Sequence, residues 1–184
     1  METLVEGAVA EALRDGHHEA GRLYVAACAE RMAPLFVGLR AGVPGREADL
    51  DLYAESVRDL WYADRPVAHA AERVRLLERF PELQPNEEGV TDVADTYAFF
   101  AALCLRYALL AHGSGNADDA VSCGHAALTA MGMLDRNVVG ASLLADEQRL
   151  QSLSVSGDIS GLWDACVTAG RERLRAVVGR LPRR

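Results

Sequence analysis

Hydrophobic positions along this chain recur every three to four residues, and nowhere do they alternate in twos long enough to mark a strand. That period predicts an all-α fold, a compact bundle of eight helices with mostly antiparallel neighbours. The first helix covers about residues 2–15, with Leu4, Val5, Ala8, Val9, Ala12 and Leu13 on one stripe. The second covers about 20–39 and stops at Gly42-Val43-Pro44-Gly45, a strong breaker. The third, about 47–62, sets Leu50, Tyr53, Val57 and Leu60 on one face with Trp61 beside them. Pro66 is placed in the first turn of the fourth, whose inward positions are Val67, Ala70, Val74 and Leu77.

An acid- and proline-rich stretch, 81–89, parts the chain into two helical halves of one expected domain covering 1–184. The fifth helix, capped by Thr91 or Asp92, is apolar nearly all round from Tyr97 to Leu110, the pattern of a central buried helix. Gly113-Ser114-Gly115 ends it, and Asn116 caps the sixth, with Val121, Gly124, Leu128 and Met131 inward. The seventh covers about 138–153, and Asp158 opens the eighth. That last helix carries two apolar stripes, Trp163-Val167-Gly170-Leu174-Val177 and Ile159-Leu162-Cys166-Ala169. A helix apolar on two faces needs cover on both, which predicts a two-fold homodimer. In a monomer, Arg171, Arg173 and Arg175 would have to find solvent between the stripes.

Charge narrows the range of partners. The net charge is −8 and every cation is arginine, since the chain has no lysine. With its many alanines, this composition suggests a GC-rich bacterial genome. Residues 171–184 hold six arginines against one glutamate, a local +5 that leaves −13 on the rest. So acidic a body repels a phosphate backbone, and no nucleic-acid partner is expected. Arg106 interrupts the longest apolar stretch, 97–110, and Glu2 and Glu6 stand where a secretory leader would be basic. These readings predict a cytoplasmic protein with no membrane partner. The four cysteines, Cys28, Cys104, Cys123 and Cys166, form no CxxC pair and read as small buried hydrophobes.

Candidate chemistry centres on Glu30-Arg31-Met32-Ala33-Pro34. Leu23, Ala26, Ala27 and Glu30 share a face, so a carboxylate sits on an otherwise apolar stripe. Pro34 lacks an N–H and deprives the Glu30 carbonyl of its helical partner, predicting a kink. An acid beside a freed carbonyl suits a ligand or metal site. The alternative is a structural kink with Glu30 buried and held by Arg31, Arg58 or Arg106. His69 and Glu72 have the spacing of two metal ligands on one helix, but neither the order nor the repeat of di-iron bundles is present, and no metal or cofactor is expected. Gly113-Ser114-Gly115-Asn116 follows a helix and precedes two aspartates, so it is not a phosphate loop. No local nucleophile arrangement proposes a catalytic residue.

The chain resembles the YjaG-like family of bacterial proteins, a domain of unknown function. The likeness rests on a small-residue helix leading into E-R-M-x-P, here Ala26 to Pro34, and on a following helix that ends in Trp61 after Asp59-Leu60. It continues through Asp92 to Leu110, Gly115 to Val121, Met133-Leu134-Asp135 and Trp163, covering roughly 23–175. It implies an all-α fold and no established activity.

Two functions remain open from the sequence. One is a helical protein-interaction module of regulatory or immunity type, acting as a homodimer. The other is a small-molecule-binding protein or enzyme whose site gathers Glu30, Arg31, Asp59 and Trp61 near the Pro34 kink, with Trp163 close by.

Overall fold

Two long helices occupy the middle of the fold, and the others pack around them. The computed structural model describes residues 4–85, 92–156 and 160–181. Among the described residues there are eight α-helices and no strand. They are α1 (Gly7–Asp15), α2 (His18–Arg40), α3 (Glu47–Leu60), α4 (Ala70–Leu77), α5 (Val93–Ser114), α6 (Ala117–Asp135), α7 (Leu143–Val155) and α8 (Leu162–Val178), with a 3-10 turn at Pro81–Leu83. The all-α architecture is therefore as the hydrophobic period predicts.

Helix α5 is central, as its all-round apolarity predicts, and packs on α2, α3, α4 and α6. By length and composition it is long and apolar enough to cross a bilayer, contrary to the reading that Arg106 rules this out. In this fold its Ala98, Ala101, Ala102, Leu105 and Ala108 face other helices. Helix α2 is a second hub, touching α3, α5, α6, α7 and α8. Its residues from Tyr24 to Ala29 are all fully buried. The run Ala26-Ala27-Cys28-Ala29 explains why: side chains this small let neighbours close in from every side. A glycine extends the effect. A Cβ on Gly170 of α8 would lie 2.8 Å from Pro34 Cγ and 3.1 Å from the Arg31 carbonyl oxygen, so α2 and α8 cross in near-backbone contact there.

Several element boundaries differ from expectation for identifiable reasons. Helix α4 begins at Ala70 rather than at Pro66. The Val67 N–H donates to His112 Nδ1 (3.2 Å), and His69 adopts a left-handed backbone (φ 56°), so the segment between them is held out of the helix. Helix α7 begins at Leu143 rather than near 138. Asp135, at the end of α6, accepts the Leu143 and Leu144 N–H groups, both at 2.9 Å, and caps α7 from eight residues away. Asp92 and Asn116 cap α5 and α6 as expected. The start proposed at Asp158 and the stripe residue Ile159 lie outside the described residues.

The stretch 81–89 was expected to separate two halves, and its described start, with the turn Pro81–Leu83, is tied into the bundle. Phe80 stacks on Phe36, which stacks on Tyr53 (centroids 5.4 and 4.4 Å). Glu82 accepts from Arg40 (2.5 Å) and from Arg46 (2.7 and 2.9 Å), and Arg40 also reaches Asp95 (2.6 Å). Burial alone would raise the Glu82 pKa, but its bonds from Arg46 and Arg40 bring it below the usual value.

Candidate functional site

The residues predicted to form one site separate onto two sides of α2. Consecutive helical residues project about 100° apart, so Glu30 and Arg31 cannot share a direction. Glu30 is only half-buried, and no arginine pairs with it among the described residues. This corrects the expectation of a buried Glu30–arginine pair. Its partner is Trp61, whose indole Nε1–H donates to Glu30 Oε2 at 3.0 Å. Asp59 also faces elsewhere, bound to Arg73 (2.7 Å) and to Arg58 (3.4 Å) in the contact between α3 and α4.

Glu30 and Trp61 line an open groove of about 590 Å³ between α2, α3 and the start of α8. Its surface is mostly apolar, with Ala33 and Val37 from α2, Ala54 and Val57 from α3, and Tyr62 and Trp163. Trp163 is 54% exposed and Tyr62 51%. Arg58 lines it too, with a side chain 68% exposed and drawn toward Asp59. Both tryptophans of the chain stand in this groove. No family model, curated protein or solved structure matches the chain.

Arg31 belongs to a buried cluster that sequence reasoning missed. Glu147 of α7 is fully buried and accepts two bonds from Arg31 (2.8 and 2.9 Å), one from Arg173 of α8 (2.5 Å) and one from Gln151 (2.7 Å). Gln151 also donates to the Gly124 carbonyl (3.0 Å) and accepts from the Tyr24 hydroxyl (2.8 Å). Gly124 is required here, since a Cβ would lie 1.9 Å from Tyr24 Oη. Burial alone would raise the Glu147 pKa, but the Arg31 and Arg173 charges outweigh it and bring it down to about 2. Burial pulls Arg31 toward the neutral form, and the Glu147 charge more than reverses this.

Arg173 was expected to need solvent between two stripes of α8. Instead the buried face of that helix is Leu162, Cys166, Gly170, Arg173 and Val177, drawn from both stripes, while Trp163 is exposed. An arginine counts as polar in any periodicity, so only the unseen Glu147 partner makes its burial possible. The cluster carries two cations to one anion. The Cys28 and Cys166 sulfurs lie 3.2 and 3.4 Å from Arg31, but burial pushes the Cys166 thiol up and keeps it neutral. Arg173 also lines a cleft of about 380 Å³ between α7 and α8, together with Asp146, Asp164, Glu172 and Arg149.

The four cysteines are free and buried, with Cys104 and Cys123 in contact at 3.5 Å. Among the described residues no three His, Cys, Asp or Glu side chains converge as metal ligands. His69 and Glu72 approach to 3.8 Å and are largely exposed. His112 is buried and structural: Nε2 meets the Leu60 carbonyl at 3.0 Å while Nδ1 accepts from Val67. Burial pushes its pKa down to about 4.

Proposed function

We propose that this chain is a binding protein and that the groove between α2, α3 and α8 is its working surface. The observation carrying this reading is the Glu30–Trp61 hydrogen bond, which fixes one aromatic wall in place over a floor of small residues. A wall held before the ligand arrives reduces the ordering cost of binding. The volume falls in the range of small-molecule sites, and an apolar lining with few polar groups is their usual chemistry. The reading is tested with the neutral apolar dye N-phenylnaphthylamine, followed through quenching of the two tryptophans. Saturable quenching in the native chain and its loss in Trp163→Ala, with an unchanged thermal melt, is the expected result. Quenching that never saturates defeats the reading.

The exposure of Trp163, Tyr62 and Val37 favours a second reading, in which another copy of the chain covers the same surface. Sedimentation equilibrium separates the two. A dimer of 19.8 kDa chains that dissociates in Trp163→Ala supports the second, and a monomer at all concentrations removes it.

A further inference from the structure

We infer that the groove's ligand is a small organic ammonium ion carried on an apolar body. The inference rests on the groove being a binding site and adds the charge that it selects. Glu30 stands half-buried in apolar surroundings, where a carboxylate seeks a cationic or hydrogen-bonding partner. One of its oxygens accepts from Trp61; the other has no protein hydrogen bond among the described residues. The arginines within reach are engaged elsewhere. Arg31 points into the Glu147 cluster, and Arg58 leans on Asp59. The position facing Glu30 is therefore open to a cation that the chain does not supply.

The walls suit the same charge. Trp61, Tyr62 and Trp163 line the groove, and aromatic rings attract cations through their quadrupoles, the device by which aromatic cages hold substituted ammonium groups. Tyr62 already shows this affinity, with the Arg65 guanidinium carbon 5.2 Å from its ring centroid. The acidic body, with a net charge of −8, concentrates cations at its surface. An anion would gain Arg58, whose charge Asp59 offsets, and Arg65 beside Tyr62, but it would face Glu30.

The test uses the full chain and three probes that differ in charge on one scaffold: phenethylamine, protonated at neutral pH, phenethyl alcohol, and hydrocinnamate. Trp61 and Trp163 report directly, being the only tryptophans. The ammonium probe is expected to bind at least about tenfold tighter than the alcohol, with the carboxylate weakest. Glu30→Gln keeps an oxygen for the Trp61 N–H and removes the charge, so it should bring amine and alcohol to equal affinity while leaving the melt in place. Equal binding of amine and alcohol in the native chain overturns the assigned charge but leaves the groove as a binding site. Tighter binding of hydrocinnamate overturns it in favour of Arg58. Saturation by none of the three defeats the inference and the underlying reading together.

Discussion

Glu147 holds two guanidinium groups with a single carboxylate, so substitutions within this cluster differ in what they leave behind. Glu147→Gln strands two buried cations and should cost at least about 4 kcal/mol, the upper part of the range for breaking a buried pair. Arg173→Met leaves the bidentate Arg31–Glu147 pair neutral and well bonded, and should cost less than about 2 kcal/mol. Urea denaturation of the two variants gives the comparison, and equal losses would contradict the charge asymmetry. The sequence singles out Arg31 and Arg173 but does not join them, because Glu147, which holds both, lies 116 residues from Arg31 and 26 from Arg173 and carries no local signal. Glu30 drew attention because it shares a face with Ala26 and Ala27. The fold exposes the outer edge of that face to the groove and turns the adjacent Arg31 inward. Trp61 is the one predicted site residue that the fold does bring to Glu30.

Elements were easiest to read where the chain caps itself locally. Asp92 and Asn116 announce α5 and α6 through side chains two or three residues from the amides they bind. Helix α7 starts several residues later than its apolar period predicts because its cap, Asp135, belongs to the preceding helix. Such a cap is set by tertiary geometry. Asp135→Ala should cost about 1 kcal/mol, the usual loss for an N-cap. Amide hydrogen exchange should accelerate at Leu143 and Leu144 while the amides of α2 keep their protection. Uniform acceleration across the fold would mean that Asp135 acts on global stability and not through the cap. Helix α8 shows a different limit. Its period is correct and its direction is not, because stripe analysis weighs only apolar residues and a buried salt bridge shifts the inward face.

At the scale of the molecule, two buried groups make stability depend on pH in separate windows. His112 has a pKa of about 4 in the fold against an ordinary 6.5, so the unfolded chain takes the proton first. Its contribution is complete above about pH 6.5 and is lost as the pH falls toward 4. Glu147, at about 2 against 4.5, contributes fully above about pH 4.5 and loses that contribution toward pH 2. The urea midpoint should therefore fall in two steps on acidification, and His112→Gln should abolish the upper step alone. A midpoint constant from pH 7 to 4 would refute the role given to His112. The central position of α2 also has a consequence in time. It is complete at Arg40, yet α7 and α8, which supply Glu147 and Arg173, end at Val155 and Val178. A ribosome adding roughly 5–20 residues per second takes on the order of ten seconds to cover that interval. Throughout it, the nascent chain displays the α2 surface that α7 and α8 will cover, with the charge of Arg31 unmatched, so synthesis exposes this protein to aggregation at the helix on which its finished fold most depends.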